Sequence, residues 1–355
     1  MSSSDNFYIE LLNNIIVYIY RYATPVIYII GNIGNLLNAW VFLKKSWSKN
    51  VCVLYFKVCL FLSSAYLNSV ILGNTFIIGY NINAHNSSIV LCKLFFYFTF
   101  LISMLLTTVL VLASIDRLLI SSQNVDTRLY SSKRLAYLSI SCSTIFWMIF
   151  NIHAFIRVNI QVIPPSFVIC YYDPIKLYAD FVVYLSMTFN CLFCFLMIIL
   201  CVLSVKNVRR IRIIPRQQRN QIRSMTKKDF QLLRCLFFFT ILHTIASIFP
   251  TIYSIYAVAT SGNTPPTLLQ RAVDDFLKHL FNFCYYIFYS TSFFIFFGVS
   301  KAFRQELKRM IYKLFGQHLI PLQEDEQKEK NNAHNNVEVN GVPIYTVGQL
   351  KVVDI

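Results

Sequence analysis

The sequence predicts an all-α membrane protein, a seven-transmembrane helix bundle with an interfacial eighth helix, and three observations carry that prediction. The 355 residues are 56% hydrophobic and only 14% charged. The apolar residues gather into seven runs free of Asp, Glu, Lys and Arg, each of about 20 residues or more, the length a helix needs to cross roughly 30 Å of hydrocarbon. The basic residues are distributed as a membrane orients them.

The runs are residues 22–43, 58–92, 94–115, 135–156, 181–205, 235–270 and 279–300. Residues 1–21 lack the basic n-region and small-residue cleavage site of a signal peptide and read as an extracellular tail. Residues 22–299 form the bundle. In residues 300–316, Phe303, Leu307, Ile311 and Phe315 recur every four positions, with Lys301, Arg304, Lys308, Arg309 and Lys313 on the other faces. That pattern suits a helix lying in the membrane interface. Residues 317–355 include the stretch EDEQKEKNNAHNN, too polar to bury an apolar face, and read as a disordered cytoplasmic tail.

With the N-terminus outside, every Lys and Arg falls on the cytoplasmic side except Arg21, Lys93, Arg157, Lys176, Arg271 and Lys278. Asp5, Glu10, Asp173, Asp180, Asp274 and Asp275 match those six, so the net charge of +16 lies on the inner face. Anionic inner-leaflet lipids are the natural partner of that charge, and nucleic acid is not needed to explain it. The expected location is the plasma membrane. Of ten cysteines, only Cys92 and Cys170 stand at outer ends of runs, where an oxidising compartment would let them pair. Asn86, followed by Ser87 and Ser88, is a glycosylation acceptor on the same side.

Asp116 and Arg117 close the third run, 24 residues after Cys92. One helix would then carry a tether at its outer end and an ion pair at its inner end. This resembles the third helix of rhodopsin-like G-protein-coupled receptors, where a Cys and an Asp-Arg-Tyr motif stand at that spacing. Gly34-Asn35, Trp147, Pro250 and the start of the last helix at Ser300 to Arg304 are similar, in order, to family positions in the first, fourth, sixth and eighth helices. The resemblance implies that Arg117 is held by Asp116 at rest. By the same resemblance it would be freed when the inner end of the sixth helix swings outward and opens a cleft for a heterotrimeric G protein. Arg128 and the third inner loop would line the docking surface.

The chain departs from the family at several places. Leu118 replaces the motif's Tyr, while Ser63 and Leu106 stand where sodium ligands would be. Ser292-Phe293-Phe294-Ile295-Phe296 replaces Asn-Pro-x-x-Tyr, and Ser247-Ile248-Phe249-Pro250 replaces Cys-Trp-x-Pro. Loss of the seventh-helix proline predicts loss of the kink there. Phe230 occupies the place of the acidic partner for Arg117, with Asp229 one step out of register. The expected coupling switch is therefore Asp116, Arg117, Asp229, Pro250, Ser292 and Phe296.

Thr99 stands where amine receptors of the family carry an Asp, and Tyr286 where opsins carry a Lys. The acidic residues of the outer face, with Tyr171, Tyr172, Tyr178, Tyr253 and Tyr256, suit a peptide bearing basic and aromatic side chains. The expected ligand pocket is Thr99, Asp180, Tyr253, Asp274, Asp275 and Tyr286. The sixth-span entry KDFQLLRCLFFFTILHTIASIFP is similar to that of invertebrate neuropeptide receptors of the FMRFamide-like kind. The alternatives are a receptor-like protein that binds ligand without coupling, a seven-span hydrolase and a transporter. His153, His243 and His279 show no His-x-x-x-His ligand spacing, and the spans lack the midplane charges and related halves of a transporter. No enzyme activity, metal or cofactor is expected.

Overall fold

A computed structural model describes residues 3–82, 87–122, 124, 126–127, 130–163, 167–172, 176–213, 227–260 and 267–314. Among the described residues, six helices are long and apolar enough to cross a membrane: α1 (Ser4–Phe42), α2 (Val51–Gly79), α3 (Ile89–Ile120), α4 (Lys133–Arg157), α5 (Asp180–Asn207) and α6 (Lys228–Thr260). The pair α7 (Leu268–Ser290) and α8 (Ser292–Val299) meets the same measure when taken together, which makes seven if the pair is one span. α9 (Lys301–Leu314) follows. Packing divides the chain into residues 1–305 and residues 306–355. In the described part of the second unit, Arg309 and Glu306 pair at 3.8 Å.

α3 is the central element, packed on α2, α4, α5 and α6. Trp147 of α4 is buried and donates from Nε1 to Thr108 Oγ1 of α3 at 2.8 Å. α1 approaches its neighbours through small residues. A Cβ placed on Gly34 would lie 2.8 Å from Phe293 Cβ, so the missing side chain sets the distance between α1 and α8. Beside it, Ser292 Oγ donates to Asn35 Oδ1 at 2.7 Å and accepts from Asn38 Nδ2 at 3.1 Å.

The structure differs from the sequence reading in three places. Residues expected as a tail are helical: α1 runs unbroken for 39 residues, about twice the length hydrocarbon requires, and its first turns pack along α7. A two-stranded antiparallel hairpin, β1 (Val158–Ile163) and β2 (Phe167–Tyr172), interrupts the all-α scheme. An isolated hairpin is marginal. This one is held by the Cys92–Cys170 disulfide, which joins residues 78 apart, and by burial of Val158 against it.

The third difference is the bend of 47° between α7 and α8, which occurs without proline. Ser290 Oγ donates to Ile287 O at 2.8 Å and Thr291 Oγ1 to Phe288 O at 2.7 Å, while Thr291 N also turns to Phe288 O. Hydroxyls that take the carbonyls of the preceding turn divert the helix ladder and substitute for a proline kink.

Cys170→Ser should lower the unfolding free energy by about 2–4 kcal/mol, read from thermal unfolding in nanodiscs with and without reductant, and reductant should leave the variant unchanged. Gly34→Ala should cost about 1–3 kcal/mol through overpacking. Gly298→Ala should be near neutral in the same assay, because its Cβ meets nothing within 4 Å.

Candidate functional site

The ends of α3 and α6 remote from the disulfide enclose a buried ionic cluster. Arg117 has no solvent-exposed side-chain surface. An unpaired cation there would bear a large desolvation cost, so its partners must surround it. Arg117 Nε and an Nη donate to Asp116 Oδ2 at 3.0 and 2.5 Å, and the other Nη reaches Asp229 Oδ1 of α6 at 3.4 Å. Ser131 Oγ donates to Asp116 Oδ1 at 2.5 Å, which satisfies the other carboxylate oxygen.

Asn50 closes the cluster from the start of α2. Its Oδ1 accepts from Cys52 N at 2.9 Å as the helix N-cap, and its Nδ2 donates to Asp229 Oδ1. One side chain thus starts α2 and grips α6. The two uses are compatible because an Asn N-cap employs only its oxygen, leaving the amide donors free.

The expectation that Asp229 lies out of register is corrected by this geometry. Consecutive helical residues point about 100° apart, and α6 presents position 229 to Arg117. Phe230 is stacked instead beneath the Arg234 guanidinium, 4.4 Å from the ring centre. Of the six residues expected to form the switch, the structure gathers Asp116, Arg117 and Asp229. Pro250 lies within α6, where Ser254 Oγ donates to its carbonyl. Ser292 belongs to the knot with Asn35 and Asn38, and Phe296 is buried among Phe42, Phe56, Phe239 and Phe303.

The residues expected to bind ligand are spread over four helices. Asp274 of α7 accepts from Tyr256 OH of α6 at 2.8 Å. Tyr286 lies buried deeper in α7, accepting from Asn74 Nδ2 at 2.8 Å and packing on Tyr20 and Tyr66. Thr99 donates to its own helix at Phe95 O. Asp180 is partly buried on α5, Tyr253 partly buried on α6 and Asp275 exposed on α7. Asn86, Arg128 and Asp173 fall outside the described residues. A cavity of about 320 Å³ lies between α2 and α3, lined by Ser69, Gly73, Phe76, Phe95 and Phe98 among others, and none of the six expected residues borders it.

Between these ends, the interior faces of α3, α6 and α7 carry a polar layer. Ser103 meets Tyr285 OH at 3.2 Å, Tyr289 OH donates to Tyr285 OH at 3.0 Å, and Thr107 meets His243 Nε2 at 3.3 Å. His153 and His279 pair with Tyr178 and Tyr20. Sequence reasoning missed Asn50 and Ser131. An Asn directly before an apolar helix was a legible N-cap signal, but its second partner, 179 residues away, was not.

No protein-family model matches the chain, and no curated protein shows a similar sequence.

Arg117→Met should leave Asp116 and Asp229 buried without a countercharge and lower stability by about 3–5 kcal/mol. Adding Asp116→Asn and Asp229→Asn should recover most of that loss in thermal unfolding of the same nanodisc preparation.

Proposed function

We propose that the chain is a seven-span G-protein-coupled receptor of the rhodopsin-like kind, with its N-terminus outside and its basic end in the cytoplasm of a cell with a plasma membrane that it spans. One observation carries this reading: Arg117, fully buried, bridges Asp116 on α3 and Asp229 on α6 at the basic end of the helices. Such a contact is a two-state device. It favours the packed position of α6, and any ligand that prefers the displaced position shifts the population. With α6 displaced, Arg117 and the basic third loop become available to a heterotrimeric G protein.

The ligand is proposed to be a peptide with cationic and aromatic groups, met at the opposite end by Asp180, Asp274, Asp275, Tyr253 and Tyr256. A second reading, a receptor that binds ligand without coupling, is supported by Phe296. Its ring sits in an aromatic cluster and has no hydroxyl with which to engage a released Arg117.

The deciding experiment compares G-protein activation in cells expressing wild type, Arg117→Ala and Asp229→Asn at matched surface levels, with and without a neuropeptide library. Loss of the charged contact to Arg117 should raise basal activation in Asp229→Asn by about tenfold, while Arg117→Ala should be silent. Equal, ligand-independent silence of all three at the surface would favour the non-coupling reading.

Sodium should have no influence. Ser63 and Leu106 are buried at the positions compared with sodium ligands, and one hydroxyl is too few oxygens to replace the water around a hard cation. Replacing sodium by an organic cation at constant ionic strength should leave basal activation unchanged; a sodium-dependent fall would contradict this.

A further inference from the structure

The first turn of α6 grips more than Arg117. Gln231 Oε1 accepts two hydrogen bonds from the segment between α8 and α9: from Ser300 Oγ at 2.9 Å and from the backbone N of Ala302 at 2.9 Å. Ser300 is fully buried, and its oxygen also accepts from Phe303 N at 3.2 Å. The first backbone N–H groups of a helix have no partner within that helix and are ordinarily satisfied by a local cap. At α9 the local cap, Ser300, takes Phe303, and the next donor, Ala302, is satisfied by a side chain from α6, 71 residues away in sequence.

The neighbouring residues of the same turn make different attachments. Lys228 Nζ lies 5.6 Å over the Trp47 ring, in the turn between α1 and α2. Asp229 holds Arg117 and Asn50. Phe303, directly after the donors, is buried against Phe42, Trp47 and Phe296. The donors therefore adjoin a buried aromatic cluster, and moving the first turn of α6 away from it would break both Gln231 bonds along with the Asp229 contact.

We propose that Gln231 is a positioning residue that holds the basic end of α6 in its packed state through the start of α9, acting in parallel with the Arg117–Asp229 pair. The proposal rests on the reading of α6 as the moving helix. Two hydrogen bonds of ordinary strength bias a two-state equilibrium by roughly tenfold, comparable to the Asp229 contact, whose reach to Arg117 is long at 3.4 Å. The geometry also distinguishes acceptors from isosteres. Glu at this position offers a carboxylate to the same two donors beside the positive N-terminal end of α9, which strengthens the attachment. Leu offers no acceptor.

The test is hydrogen–deuterium exchange by mass spectrometry on the full chain in lipid nanodiscs, for wild type, Gln231→Leu, Gln231→Glu and Asp229→Asn, alongside cellular G-protein activation. Gln231→Leu should speed exchange of amides 232–237 about tenfold, the bias just estimated, and also release those of 301–304. Gln231→Glu should keep both segments at or below wild-type rates. If Gln231→Leu frees only 301–304, Gln231 merely caps α9 and the proposal is overturned. It is overturned equally if Gln231→Glu exchanges as fast as Gln231→Leu. Acceleration of 232–237 by Asp229→Asn but not by Gln231→Leu would sink this proposal and leave the clasp intact. Acceleration by Gln231→Leu with no change of G-protein activation in any variant would support the positioning role and refute the signalling reading.

Discussion

A guanidinium with no access to water imposes the constraint on which the basic end of this protein is organised. Arg117 cannot discharge its charge by losing a proton, because its affinity for that proton is too high at any physiological pH. Carboxylates must come to it, and they come from its own helix at Asp116 and from α6 at Asp229. Each carboxylate in turn needs donors, which Ser131 and Asn50 supply. Four separate segments are thereby drawn to one point. A buried ion pair adds little net stability compared with apolar packing. What it provides is a specific arrangement, in which the loss of one partner leaves a buried charge uncompensated.

The contacts around that point show how residues of unlike chemistry perform similar mechanical tasks. The bend between α7 and α8 arises from Ser290 and Thr291 hydroxyls where a proline is absent. Position 296 is a phenylalanine, which joins a cluster of aromatic rings spanning α1, α2, α6 and the start of α9. Ser292 meets two asparagines of α1. Aromatic packing and short hydroxyl contacts hold these helices together without ionic groups, α6 included through Phe239. Its first turn adds polar and cationic attachments through Lys228, Asp229 and Gln231.

Toward the disulfide end the same chain builds a different kind of wall. α1 continues far beyond the length of hydrocarbon and packs along α7. Tyr20 reaches His279, Arg21 Nε donates to Gly79 O at 2.9 Å, and Tyr256 reaches Asp274. The acidic and aromatic residues that composition marks as a peptide surface are partly engaged with one another, as Tyr256 with Asp274 shows.

What the sequence determined by itself is whatever follows from local composition and periodicity. A charge-free run of membrane length favours a helix whatever it packs against, because hydrocarbon leaves backbone groups no other partner. The helical spans were legible for that reason, and the Cys92–Cys170 pairing because only those two cysteines stand at outer ends of runs. Tertiary structure decided everything that depends on the rotation of one helix against another. The choice of Asp229 over position 230 is a matter of about 100° of helix rotation, which no one-dimensional register can supply. Asn50 and Gln231 likewise read as a local cap and an ordinary polar residue until packing brings partners 179 and about 70 residues distant within hydrogen-bond range. The α1 extension and the hairpin belong to the same class, since the first packs along α7 and the second is tied by a disulfide to residues distant in sequence.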